Sequence, residues 1–233
     1  FGLIFLSGER AAFFLSLLSL FVIIILYNSK LIYKFYVVLT LLSLILTYSI
    51  INPHVVDRVY NQTYAQINAL VFSISDKEDE RLTKHVKNKD ILRFVASNQH
   101  GQHFETAINI FVSKPFTGYG VKMFREICKK PNFDINTYSC TNHPHNSYMQ
   151  LLAEGGMIGV FYLVIPFFIT VYLLSKQLYF SFLKKKFIND YHISLLACIL
   201  ITLWPLTTTG NLFNNWLSII YFLPVGFLFR TIK

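Results

Sequence analysis

Five long apolar runs, separated by short polar or basic stretches and by one long polar segment, limit what this chain can fold into. A run of about 20 apolar residues is long enough to cross a bilayer as a helix. Inside a bilayer a helix satisfies its own backbone N–H and C=O groups, which an open sheet cannot do. Of the 233 residues, 54% are hydrophobic and 14% are charged, a composition typical of membrane proteins. The sequence therefore predicts an all-α fold, a polytopic bundle of membrane helices. The apolar runs are 11–27, 31–51, 148–175, 193–208 and 216–229.

The long polar segment divides the chain into three parts. Residues 1–51 contain two predicted spans, 52–147 form a loop, and 148–233 contain three spans joined by a basic linker at 176–191. Apolar residues at helical spacing predict a short amphipathic helix at 103–113 within the loop. A loop of this length with helices of its own is commonly functional.

The short basic segments fall on one side of the bilayer if the spans alternate in direction. The positive-inside rule places that side in the cytoplasm. The long loop then faces outward, because long loops are translocated largely regardless of their charge. The basic residues on the inner side are Lys30, Lys34, Lys184, Lys185, Lys186, Arg230 and Lys233.

Two histidines lie where the polar loop ends and the third apolar run begins. Pro144 suits the first turn of a helix, and Ser147 with Gln150 can form a capping pair. His145 would then sit at the water-facing N-terminus of a membrane helix, where the helix dipole disfavours imidazolium. A neutral imidazole can accept a proton, as a general base must. The alternative is that His143 and His145 are ordinary polar residues at the membrane interface.

Each of the other polar residues near the outer face has two interpretations. Arg10 and Arg58 could bind a phosphate through their N–H donors. The alternative is that both are boundary arginines whose side chains extend to the water, with Arg10 able to pair with Glu9. Arg125 in the loop could bind the same group or be a solvated charge. His103 could hydrogen-bond a sugar or phosphate, or cap the loop helix. Three asparagines near Trp216 could hold a sugar hydroxyl, or belong to a polar turn beside an interfacial aromatic residue. These asparagines are Asn211, Asn214 and Asn215.

Cysteines and metal ligands give a limited signal. Cys128 and Cys140 could form a disulfide if the loop faces an oxidising compartment, or they could be free thiols. The His-x-His pair has no third ligand at helical spacing, so we expect no metal and no cofactor. Phosphate-binding and dinucleotide-binding glycine motifs are absent from the sequence.

The histidine region resembles the O-antigen ligase and polymerase superfamily of bacterial envelope proteins. Its ligases carry His, then Asn, Ser or Gln, then nine residues, then Gly-x-x-(Gly, Thr or Tyr). Here His145-Asn146 is followed after nine residues by Gly156-Met157-Ile158-Gly159. The stretches 7–10 and 115–120 are also similar to the family. Since 1–6 looks like the tail of an apolar segment, we expect this chain to be the C-terminal portion of a longer protein.

The resemblance implies a metal-independent, multi-pass glycosyltransferase of the bacterial inner membrane, with its active site on the periplasmic face. Such an enzyme transfers a glycan from undecaprenyl diphosphate to an acceptor hydroxyl. The acceptor is lipid A-core in ligases and another carrier-linked repeat unit in polymerases, and related members glycosylate proteins. The partners it implies are the lipid-linked donor, the acceptor and the bilayer, without nucleic acid.

A histidine and two arginines are thought to act in this family. The histidine corresponds to His145, with Asn146 and His143 beside it, and the first arginine corresponds plausibly to Arg10. The second arginine is missing, because its place reads Gly101-Gln102-His103. The candidates to substitute for it are Arg58, Arg93, Arg125 and a protonated His103.

We weighed a transporter of a lipid-linked anion as the alternative from another class. A transporter needs broken helices that line a site at the membrane midplane. Here the polar candidates cluster at the outer face, which favours the transferase. The fit of the histidine motif favours a ligase over a polymerase.

Overall fold

The computed structural model describes residues 2–65, 99–134 and 140–230, and every regular element within these ranges is helical. The predicted all-α fold is therefore confirmed. The charged stretch at 76–89 and Arg93 lie outside the described residues. The helices are α1 (Gly2–Leu6), α2 (Arg10–Leu26), α3 (Leu31–Ile51), α4 (Pro53–Val56), a π-helical turn (Asp57–Asn61), α5 (Gln99–Ser113), α6 (Phe124–Ile127), α7 (Ser147–Phe182), α8 (Asp190–Thr202) and α9 (Asn215–Arg230).

Two helices, α3 and α7, are long and apolar enough to cross a membrane. None of the residues of α3 is buried, so its apolar side chains are available to lipid. Shorter apolar helices of 17, 13 and 16 residues are α2, α8 and α9.

Of the predicted boundaries near the C-terminal spans, the start of the linker is wrong, whereas the interruption of the run 193–208 expected at Pro205 is observed. The helix α7 continues through Phe182, so the first part of the predicted linker at 176–191 is helical. The helix α8 ends at Thr202, so the apolar run 193–208 is not one helix. Pro205 explains this end, because proline cannot donate a helical hydrogen bond and disfavours helix in the residue before it. At its start α8 is capped by Asn189, whose side chain accepts a hydrogen bond from the backbone N–H of His192 at 2.9 Å.

The chain forms two compact units. Within the described ranges, the first contains 2–65, 166–204 and 220–230, and the second contains 99–134, 140–165 and 205–219. The first unit buries one aromatic and aliphatic cluster around Phe5 and Phe13, whose ring centroids are 5.2 Å apart. It buries a second cluster around Leu26, Leu174, Ile193, Leu196 and Leu200.

The second unit is built on the folded part of the loop. Ala107 and Ile110 of α5, Phe124 of α6 and Ala153 of α7 are each at most 1% exposed and pack in one core. The alanines have small side chains, which lets these helices approach closely. Cys128 and Cys140 are joined by a disulfide that fixes the chain at the edge of this core. The helix α5 begins four residues before the predicted 103–113 segment.

Candidate functional site

The helix α7 is broken one-third of the way along its length. Gly156 has φ 61° and ψ −156°, values that are not helical and that glycine alone adopts readily. In an unbroken helix the N–H groups of Met157 and Ile158 would bond to the carbonyls of Ala153 and Glu154. The break removes both of these pairings and leaves four backbone groups in need of partners.

The turn 115–120 of the loop supplies those partners. It inserts into the break, and its two ends bond to the two sides of the helix. A Cβ on Gly118 would lie 2.6 Å from the backbone nitrogen of Gly156, so both positions require glycine. The Gly156 of the sequence motif therefore has a structural role. The four bonds are Met157 N to Pro115 O at 2.8 Å, Ile158 N to Phe116 O at 3.4 Å, Tyr119 N to Ala153 O at 3.2 Å, and Gly120 N to Glu154 O at 2.8 Å.

His145 lies two residues before α7, in the left-handed conformation. Its φ is 56°, and its carbonyl oxygen accepts a hydrogen bond from the N–H of Thr209 at 2.8 Å. The predicted start of the helix is wrong, because Pro144 precedes the helix rather than occupying its first turn. The predicted capping pair of Ser147 with Gln150 is also wrong. Both side chains bond elsewhere, and the residue after His145 caps the helix instead.

Asn146 is the cap, and its side-chain amide is fully used. Its Oδ1 accepts hydrogen bonds from the N–H groups of Tyr148 at 2.9 Å and Met149 at 3.1 Å. Its Nδ2 donates to the carbonyls of Pro205 at 2.8 Å and Thr207 at 3.0 Å. Since the side chain is 4% exposed and has no hydrogen-bonding capacity left, we infer that Asn146 positions His145 and does not contact substrate.

Replacing Asn146 by aspartate is expected to destabilise the fold by about 1–3 kcal/mol, since a carboxylate would face two carbonyl oxygens with no proton to donate. The cap at Asn189 is a matched control, because its Oδ1 accepts the backbone N–H of His192 at the start of α8. Aspartate caps helices as well as asparagine does, so Asn189→Asp should be nearly neutral. Thermal unfolding in nanodiscs measures both. Equal melting temperatures for the two variants would contradict this role of Asn146.

A row of polar side chains continues from this cap along one face of α7. Ser147 Oγ lies 2.8 Å from Thr209 Oγ1, and Gln150 Nε2 donates to Asn211 Oδ1 at 2.8 Å. Gln150 Oε1 accepts the N–H of Leu212 at 2.9 Å. These bonds hold the segment 205–212 against the start of α7. The sequence carried a signal for this row, because positions 147, 150 and 154 recur at helical spacing in an apolar run.

Glu154 ends this row and holds the loop side. It is 2% exposed, its Oε1 accepts the N–H of Phe124 at 2.9 Å, and its Oε2 accepts from Gln150 Nε2 at 3.1 Å. The start of α7 is therefore tied to α6 on one side and to 205–212 on the other.

Two other histidines, His143 and His103, lie beside the predicted base His145. The ring centroid of His143 is 4.3 Å from that of His145, and the centroid of His103 is 5.5 Å from it. His103 is 5% exposed and lies inside α5, so it does not cap that helix. Among the described residues, no three His, Cys, Asp or Glu side chains are arranged to hold a metal ion.

The surroundings of His143 favour its neutral form. Burial lowers its pKa, and a hydrogen bond to the backbone of Thr209 opposes that shift only in part. The Nε2 atom is buried and has no hydrogen-bond partner among the residues that the structure describes. A neutral ring that donates its other N–H to a carbonyl leaves Nε2 as an acceptor.

An open cleft of about 730 Å³ lies beside His143 in the second unit. The cleft is lined by two cations, Lys122 and Arg125, and by Trp216. None of the described residues around the cleft is acidic. Its asparagines are Asn142, Asn211, Asn214 and Asn215.

The sequence-predicted cations are divided between the two units. Arg125 lines the cleft in the second unit, whereas Arg10 and Arg58 belong to the first. Arg58 lies beside Gly8, and its Nη2 is 3.6 Å from Glu9 Oε1 in an exposed ion pair. Sequence reasoning did not select Lys122, since nothing in its local sequence distinguishes it from the other loop lysines.

The comparison with protein families identifies the chain. The family model described as O-antigen ligase matches residues 1–164, more than half of the sequence. The chain belongs to the O-antigen ligase family. The match contains His145, the helix break at Gly156 and the turn that fills it. Comparisons with curated proteins and with solved structures give no match. Membership in the O-antigen ligase family, together with the apolar helices, indicates a membrane glycosyltransferase of the ligase and polymerase type.

Proposed function

We propose that this chain transfers a glycan from undecaprenyl diphosphate to an acceptor hydroxyl at the periplasmic face of the bacterial inner membrane, as an O-antigen ligase acting on lipid A-core. The placement of His145 carries this proposal. The residue is fixed just before an apolar helix by the backbone of Thr209 and the cap of Asn146, and the cationic cleft lies beside its neighbour His143.

In the proposed reaction, neutral His145 takes the proton from the acceptor hydroxyl. The acceptor oxygen forms a bond to the anomeric carbon of the donor sugar, and the bond from that carbon to the diphosphate oxygen breaks. The electron pair leaves with undecaprenyl diphosphate, whose charge needs cations close by. A single displacement of this kind inverts the anomeric configuration, and no metal is required for it.

The cation that replaces the missing second arginine is proposed to be Arg125. Of the sequence-predicted arginines that the structure describes, it is the one in the same unit as His145, and it lines the cleft beside His143. Arg10 and Arg58 remain proposed ligands of the donor diphosphate, with His103 and His143 beside the base.

A transfer assay with the full chain in nanodiscs tests the function. The donor is undecaprenyl-diphosphate-linked glycan, offered with lipid A-core in one reaction and with a second carrier-linked glycan in the other. A ligase is expected to form product only with lipid A-core and to invert the anomeric carbon. Longer carrier-linked glycan in the second reaction would identify a polymerase. Movement of intact donor across a bilayer without a new glycosidic bond would instead support a transporter.

A further inference from the structure

The cleft beside His143 is lined by cationic residues and by aromatic and amide residues, and neither group is used by the proposed base. We propose that this cleft binds a sugar ring that carries a phosphate group, an inference that rests on the glycosyltransferase function proposed above. Such a sugar has two sources in that reaction. One is the donor, whose first sugar is linked to diphosphate, and the other is a phosphorylated acceptor glycan.

The cationic residues of the cleft are suited to binding an anion. Lys122 and Arg125 carry two positive charges into a cleft whose described lining has no acidic residue. Arg125 Nε lies 3.7 Å from Glu126 Oε1, but both side chains are more than half exposed, so this surface pair is weak and can be exchanged. A guanidinium offers several N–H donors in a fork that matches phosphate oxygens. Lys122 has φ 60°, a conformation uncommon for lysine, which indicates that the surrounding chain imposes its direction.

The aromatic and amide residues of the cleft are suited to binding a sugar ring. Trp216 is 59% exposed and lines the cleft. A pyranose has an apolar C–H face that can pack on an aromatic ring and hydroxyls at its edge that need polar partners. Carboxamides of Asn142, Asn214 and Asn215 lie around the same cleft and can both donate and accept.

His143 also lines the cleft. Its Nε2 is buried and without a partner within the described ranges. A buried acceptor of this kind costs free energy unless a ligand or water satisfies it. A small rotation of the ring would expose this nitrogen to the cleft, where a sugar hydroxyl could donate to it next to His145.

A binding experiment tests the site without requiring turnover. Full-length His145→Asn protein in nanodiscs is titrated with two ligands, a short-chain polyprenyl diphospho-sugar and a phosphorylated core oligosaccharide freed of its lipid. In this background, Trp216→Leu and the double variant Lys122→Gln/Arg125→Gln are compared with their parent. Exposed Phe116 and Lys129 lie in the same unit outside the cleft, so Phe116→Leu and Lys129→Gln are the matched controls.

We expect Trp216→Leu to raise the dissociation constant of one ligand about tenfold, the effect of losing a favourable aromatic contact. The double cation variant should raise the constant of that same ligand by about tenfold or more. The affected ligand identifies the source of the phosphorylated sugar. A form of it without phosphate should become insensitive to the cation variant but stay sensitive to Trp216→Leu.

Several results would overturn the site. These are unchanged binding of both ligands by all cleft variants, effects of the tryptophan and the cations on different ligands, or equal effects of the control variants. An effect of Trp216→Leu on protein yield in nanodiscs alone would assign the indole to membrane anchoring. If binding behaves as expected while the His145-containing protein transfers no glycan, the site stands and the proposed function fails.

Discussion

The variant His145→Asn is expected to lose glycan transfer by about 10²–10⁴-fold while keeping its fold. Asparagine is chosen because it adopts the left-handed conformation more readily than most residues, and the backbone at this position has φ 56°. The substitution therefore removes the imidazole without adding backbone strain. The loss should appear in the turnover rate, since the proposed proton transfer occurs in the transition state.

Two controls separate chemistry from structure in this experiment. His54 is exposed in the first unit, so His54→Ala should transfer glycan at the rate of the unmodified protein. The His145→Asn protein should melt within a few degrees of it, which shows that the cap and the bond from Thr209 survive. Transfer within threefold of the unmodified rate would remove His145 as the base.

The variant Gly156→Ala is expected to have the largest effect on stability. A Cβ at this position would lie 2.5 Å from the carbonyl oxygen of Phe116 and 2.7 Å from the backbone nitrogen of Gly118. The residue also has φ 61°, where a side chain is strained in any surroundings. Strain and displacement of the docked turn together should cost at least about 2 kcal/mol. That corresponds to a melting temperature lower by roughly 5 °C or more.

Gly155 provides a neighbouring control for that experiment. A Cβ there would meet no atom within 4 Å, so Gly155→Ala should be neutral or slightly stabilising in the helix. Melting curves in the same nanodiscs compare the two variants with the unmodified protein. If both alanines have the same effect, the break at Gly156 does not depend on glycine.

Some of this fold could be predicted from the sequence because the signals were local. The second apolar run was predicted as 31–51, and α3 has those bounds. It begins just after the break at Asn28-Ser29-Lys30, and it ends before Pro53, which cannot donate a hydrogen bond to continue the helix. The disulfide partners could be paired because only two cysteines lie in the loop, although the sequence left the free thiols open.

The start of α7 could not be predicted, because two adjacent residues are both good N-caps. Asn146 and Ser147 have similar intrinsic preference for that position. The choice is made by the carbonyls of Pro205 and Thr207, about 60 residues along the chain, which need the two donors of an amide. A serine hydroxyl has one proton and cannot satisfy both.

Sequence reasoning named Arg125 and the asparagines near Trp216 as candidate ligands, but it could not bring them into one cleft, for a related reason. Lys122 and Trp216 each look like ordinary surface residues in their own segments. They line one cleft because α7 binds both segments, through Glu154 on the loop side and Gln150 on the side of 205–212. A sequence pattern within one segment cannot reveal a site formed by two distant segments that are brought together by a third segment, here α7.

The inserted turn at 115–120 also bears on the order in which this molecule assembles. Until that turn arrives, α7 has two N–H groups and two carbonyls without partners near its break. Lipid offers no hydrogen bonds, so a broken α7 cannot settle into a bilayer alone without penalty. Early in biogenesis α7 must therefore either form an unbroken helix through Gly156 or insert together with the turn 115–120. The loop is in that sense a folding partner of the helix.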